Sequence, residues 1–160
     1  MRLTLAAVGR LKAGPERELV ARYVERIAAV GKAEGFSPLA LRETEESRAR
    51  RPEDRKVEEG RALAALFPAD AILVALDERG KSMSSADFAA RLGGWRDAGV
   101  RDLCFVIGGA DGLDPAVRAQ AALTLSFGAL TLPHQIVRAL VAEQIYRAIS
   151  ILAGHPYHRV

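Results

Sequence analysis

The chain has 160 residues with 23 Lys+Arg against 20 Asp+Glu, about one domain's length with a net charge of +3 that permits an anionic partner without requiring one. A composition of 49% hydrophobic and 27% charged residues excludes a disordered chain, and no apolar run is long enough for a membrane helix. The N-terminus MRLTLAAVGRLKAG has no signal-peptide cleavage site, and the lone cysteine, Cys104, excludes disulfide frameworks and Cys-rich zinc sites. The expectation is one cytoplasmic domain spanning residues 1–160.

Strand candidates are short β-rich apolar runs at 2–8, 37–42, 71–76, 102–107 and 122–126. The stretch PERELVARYVERIAAV between the first two opens on Pro15 and lines up Leu19, Val20, Tyr23, Val24 and Ile27, which predicts a helix. A second helix is expected from Pro52 to Phe67, a third from the Ser84-Ser85 cap to Gly99, a short fourth at Asp114-Pro115, and a fifth from Gln135 to Ala153. Alternation of this kind predicts an α/β fold, a mostly parallel sheet with helices on both faces. The fifth helix is apolar around much of its circumference, which packing onto its own sheet explains, the alternative being a two-sided role with the sheet on one side and a second subunit on the other.

Charge is unevenly distributed. Residues 42–61, RETEESRARRPEDRKVEEGR, hold seven basic and seven acidic side chains, a mixed block that reads as a solvated loop and helix face. The basic excess then falls in the C-terminal stretch from His134, with Arg138, Arg147 and Arg159 against Glu143.

Three loops after strands carry chemistry. Asp77 to Ser82 contains Gly80-Lys81-Ser82, but the phosphate-loop pattern needs a glycine five residues before Gly80, where Ala75 stands, so the segment reads as a polar loop leading to a helix cap. Ile107-Gly108-Gly109-Ala110-Asp111-Gly112-Leu113 places three glycines at a strand end, where open α/β sheets bind ligands. Its spacing is not that of a dinucleotide fingerprint, and a side chain at Gly109 is expected to enter the ligand's space. Phe127 to His134 stays apolar outside its strand, either as the wall of a pocket for a flat ring or as plain buried core. The terminal His155-Pro156-Tyr157-His158-Arg159 offers too few ligands for a metal but suits stacking and phosphate contact with RNA.

Taken together, MRLTLAAVGRLK, LDERGKSMSS, FVIGGADGLDP, ALTLPHQIVRALVAEQIYRAISI and HPYHR resemble the RlmH family over nearly the whole chain. The resemblance implies a SPOUT-class methyltransferase with a C-terminal trefoil knot, acting as a homodimer. It implies transfer of a methyl group from S-adenosylmethionine, without a metal, to N3 of a pseudouridine in large-subunit (23S) ribosomal RNA within the assembled ribosome, and no membrane partner. Carried over by position, it puts the methyl donor at Leu76, Gly108, Gly109, Gly128, Ala129, Leu130, Thr131, Leu132 and Pro133. The candidates for handling the imide proton are His155, Tyr157, His158 and Arg159, with the base left open among them. The alternative from another class is a non-catalytic RNA-binding or ribosome-associated module, which has no need of a cofactor pocket.

Overall fold

The computed structural model describes residues 1–157; His158 and Arg159 of the expected catalytic tail lie outside them. In chain order the elements are β1 (Arg2–Val8), α1 (Pro15–Gly31), β2 (Leu39–Thr44), α2 (Pro52–Ala64), β3 (Ile72–Lys81), α3 (Ser85–Asp97), β4 (Asp102–Ile107), α4 (Pro115–Ala119), β5 (Leu123–Leu125) and α5 (His134–Leu152). The strands form one sheet in the order β2-β1-β4-β3-β5, every neighbouring pair parallel. The predicted α/β architecture is therefore present.

Strand composition follows position in the sheet. β1 and β4 are central and buried on both faces, which is why RLTLAAV and DLCFVI are continuous apolar runs rather than alternating ones. β2 is an edge strand and largely exposed. Along the central strands successive side chains serve two cores. Leu3, Leu5, Phe105 and Leu103 point to the face covered by α1, α3 and α5 with Ile27, Leu92 and Ile145. Ala6, Val8, Cys104 and Val106 point to the other, under Leu63 of α2 and Val117 of α4. Cys104 is fully buried there, and burial pushes its thiol up to about 12, so it behaves as a small hydrophobe.

The helices start where the sequence marks them. Ser84 caps α3 by accepting from the Asp87 N–H at 3.1 Å, and Asp114 caps α4 by accepting from the Ala116 N–H at 2.8 Å. Pro15 and Pro52 sit in the first turns of α1 and α2. β2 begins two residues later than expected, because Pro38 has no N–H to pair and Ser37 Oγ instead accepts from the Leu3 N–H at 3.1 Å.

α5 lies between α1 and α3 on one face of the sheet and buries Val141, Ala142, Ile145 and Ile149 there. These intrachain contacts account for most of its apolar breadth. The larger departure is in β3, which runs five residues past its expected end. Leu76 and Lys81 are both registered against Leu125, so residues 77–80 form a detour between two pairings with the same residue. The polar sequence Asp77-Glu78-Arg79-Gly80 looked like a plain loop because its ends pair with a strand about 45 residues away in sequence, which local pattern does not report.

Candidate active site

The ends of β3 and β4 and the segment after β5 enclose a cleft of about 280 Å³ beyond the carboxyl edge of the sheet, the ligand position of open α/β folds. Of the residues expected at the methyl donor, Leu76, Gly108, Gly109, Gly128, Leu130, Thr131 and Leu132 line this cleft. Ala129 and Pro133 belong to the same segment without lining it. Three separate stretches of sequence thus come together at one site.

Each loop is held in a defined shape. Gly109 and Gly112 form an isolated antiparallel bridge. A Cβ on Gly108 would sit 2.6 Å from the Gly112 backbone carbon, and a Cβ on Gly109 would sit 2.7 Å from Glu59 Oε2 and 3.1 Å from Val8 Cγ1. The glycines are therefore required by the tight turn and by the packing beneath it, and a Gly109 side chain would point into the protein rather than into the ligand space. That corrects the expected reason for its presence. Gly80 is explained in the same way: its Cβ would meet the Thr124 carbonyl oxygen at 2.7 Å, so the glycine of the Gly-Lys-Ser run serves backbone packing against β5.

After β5, the Ser126 hydroxyl donates to the Gly128 carbonyl at 2.9 Å and accepts from the Gly128 N–H at 3.1 Å, closing a small turn. The Ser126 N–H bonds the Lys81 carbonyl at 3.1 Å. Thr131 Oγ1 donates to Glu78 Oε2 at 3.2 Å, tying the outer wall to the β3 detour. Asp77 accepts from the Arg79 N–H at 2.9 Å and pairs with Arg118 at 3.1 Å. Asp111 takes both arms of Arg55, at 2.6 and 3.1 Å, and this fork holds its carboxyl below the usual range. Two of the three acids on the cleft wall are thereby neutralised.

The charged block 42–61 proves to be a brace for this site rather than only a solvated face. Besides Asp111, Arg55 donates to the carbonyls of Ala49 and Arg50, each at 3.1 Å. Glu59 is 5% exposed; its Oε1 accepts from the Ser47 N–H at 3.0 Å, while Oε2 has no partner. Burial raises its proton affinity, with smaller contributions from Asp111 and Glu46. Neither the Arg55–Asp111 pairing nor the position of Glu59 under Gly109 left a trace in the sequence pattern.

The basic residues from His134 onward are also largely committed. Arg138 is 2% exposed, and it donates to Glu43 Oε1 at 2.6 Å and to the carbonyls of Val8 and Gly9 at 2.5 and 2.7 Å. Arg147 pairs with Glu143 at 2.7 Å. The basic excess of this stretch is thus reduced by two. His134 lines the cleft; burial lowers its proton affinity, Arg138 lowers it further, and Glu46 at 3.9 Å opposes both.

Of the tail, His155 is exposed and its N–H bonds the Ser150 carbonyl at 2.9 Å. Tyr157 lies on α5: its hydroxyl donates to Glu143 Oε1 at 3.2 Å, its ring packs edge-on to Tyr146 at 4.7 Å, and the Arg147 guanidinium is 4.9 Å from its centroid. Burial pushes its proton affinity up, and Tyr23 and Glu143 raise it further. Neither residue lines the cleft of its own chain.

A family model described as a predicted SPOUT methyltransferase matches residues 1–158. The chain is 60% identical over 159 residues to the ribosomal RNA large subunit methyltransferase H of Xanthobacter autotrophicus, covering 99% of each chain. It is also 60% identical over 159 residues, again 99% of each, to the protein of the same name from Rhodopseudomonas palustris. Among solved structures it is similar in fold to a probable methylase family protein from Haemophilus influenzae, with a TM-score of 0.54 at 13% identity over 99% of this chain and 70% of that one.

Proposed function

The chain belongs to the SPOUT methyltransferase family, and on that premise we propose that it methylates N3 of a pseudouridine in large-subunit (23S) ribosomal RNA, with S-adenosylmethionine as donor and no metal. The observation that carries this reading is the convergence of three strand-end segments on one cleft, in a chain whose relatives at 60% identity are named ribosomal RNA large subunit methyltransferases. A non-catalytic RNA-binding module has no use for such a cleft.

The residues fit the donor. Leu76, Ile107 and Leu132 offer apolar surface for a flat ring, and the 108–112 and 128–132 backbones offer amides and carbonyls at its edge. Bound there, S-adenosylmethionine supplies an electrophilic methyl group. The protein's part is placement and removal of one proton: the imide N–H must be lost before N3 attacks. Within one chain Tyr157 is anchored on α5 away from the cleft, so the tail residues His155, Tyr157, His158 and Arg159 reach the target base from a second copy in a homodimer. Tyr157, with its raised proton affinity, keeps its proton at neutral pH and acts as a donor or stacking surface, which leaves the histidines as bases and Arg159 as the cation beside the imide anion. The unit is one domain over 1–160, working in the cytoplasm on the assembled ribosome. On this reading the C-terminal part of the chain is threaded into a trefoil knot.

The test is transfer of labelled methyl groups to ribosomes, together with calorimetric titration of S-adenosylmethionine. A well-folded protein that takes up no donor would return the RNA-binding module.

A further inference from the structure

The donor cleft does not end at its own rim. It shares Leu125, Ser126, Phe127 and Gly128 with a second depression over Phe88 and Gln144. That depression shares Ser82 and Met83 with a third, a shallow groove along α3 walled by Lys81, Arg91 and Trp95. The three form one trough, running from the cleft along the β3 extension and onto α3.

Its unpaired charge is basic on balance. Arg79 stands at the cleft, and Lys81 and Arg91 stand in the groove, all exposed. Among the described residues none of the three makes an ion pair, whereas Arg55, Arg96, Arg118, Arg138 and Arg147 all do. Of the acids nearby, Asp77 is paired with Arg118; Glu78 accepts from the Thr131 hydroxyl and Asp87 from the Ser84 hydroxyl at 2.8 Å in the α3 cap, and both keep their charge, so three unpaired cations stand against two acids. Arg91 lies over the Trp95 ring, 5.9 Å from its centroid, so the groove combines free cations with an aromatic wall. A basic groove with an aromatic surface is the chemistry that holds single-stranded nucleic acid, where phosphates meet the cations and unpaired bases stack.

Resting on the reading of the substrate as RNA, we infer that the trough floored by Ser82 and Met83 and walled by Lys81, Arg91 and Trp95 is a second RNA subsite. It binds the single strand flanking the nucleotide presented to the cleft. A base offered for methylation must be unstacked, and its neighbours must then leave the cleft along some path. The trough is the path that opens directly from it.

Trp95 is the only tryptophan in the chain and reports on the groove by its own emission. Titration with a short single-stranded oligouridylate at low salt is expected to quench it saturably. Lys81→Gln with Arg91→Gln should weaken binding about tenfold and shallow the salt dependence by about 1.4 in the log–log slope, two phosphate contacts' worth for a single strand. Ala90→Glu, which adds a charge to the groove wall without removing any contact, should weaken it as well. Affinity for S-adenosylmethionine should stay at the wild-type value, and transfer to ribosomes should show a raised KM with kcat unchanged. Unaltered RNA affinity and slope in both variants would overturn the inference. So would polyglutamate competing as well as the RNA, which would make the groove a site for acidic peptide. A wild type that methylates ribosomes without quenching removes the subsite alone, and one that quenches as described but transfers nothing removes the methyl-transfer reading alone.

Discussion

Arg138 of α5 and Glu43 of β2, 95 positions apart, meet at 2.6 Å with the arginine 2% exposed. The same guanidinium caps the carboxyl end of β1 through the carbonyls of Val8 and Gly9. This one side chain therefore ties the start of α5, and with it the His134 and Leu132 wall of the cleft, to two strands.

Removing Arg138 should be severe. Arg138→Ala leaves Glu43 and two carbonyls without their donor, and breaking a buried pair by deleting one partner costs about 3 kcal/mol or more. Glu43→Gln, which keeps an acceptor oxygen, should cost less than half of that. Urea unfolding of the two variants gives the comparison. Equal losses would mean that the two carbonyls do not share in holding the arginine.

Gly109→Ala should lose stability by about 1–3 kcal/mol, in the range of overpacking in a filled site, because its Cβ would come 2.7 Å from Glu59 Oε2. Glu59→Ala in the same protein should restore part of the loss by removing that carboxylate. A double variant no more stable than the sum of the single changes predicts would show that the contact with Val8, not Glu59, sets the cost.

Two groups facing this region titrate in opposite senses. His134 binds a proton more weakly folded than unfolded, so its contribution is complete above the ordinary value of 6.5 and declines as pH falls below it toward the lowered folded value. Glu59 binds a proton more strongly folded than unfolded, so its contribution is complete below the ordinary value of 4.5 and is lost as pH rises through the folded value. Accordingly His134→Gln should flatten the fall in thermal stability below about pH 6.5. Glu59→Gln should raise the melting temperature near pH 7, where the parent must hold a poorly solvated carboxylate. A lower melting temperature for Glu59→Gln at neutral pH would show that the Glu59 charge is stabilising.

Deleting Tyr157 to Val160 should abolish methyl transfer while leaving donor affinity close to wild type, since among the described residues the cleft is built without His155 or Tyr157. The lost packing on Tyr146 and Arg147 should cost about 1–2 kcal/mol, the scale of an ordinary substitution. Tyr157→Phe keeps the ring contacts and loses only the bond to Glu143, so its stability should fall by less than the deletion's. Single-turnover transfer and donor titration on the same truncated protein separate the roles, and a full rate would sink the tail's assignment.

By itself the sequence determined the layers of this protein. Continuous apolar runs at β1 and β4, caps at Ser84 and Asp114, and prolines at helix starts are local, and each acts through the few residues beside it. The glycine run 108–112 and the apolar segment 127–134 likewise marked the strand ends that line the cleft, since composition alone set those loops apart from solvated ones. What the tertiary structure decided are relations between distant residues. Arg138 counted toward a basic excess and is buried against Glu43; Glu59 looked like one charge in a solvated block and lies under Gly109; Gly80 looked like part of a polar loop and makes room for the Thr124 carbonyl. A side chain's type states what it can bond. Which carbonyl, carboxylate or backbone stands opposite depends on how the strands are ordered and registered, and that is settled by the whole chain closing on its core.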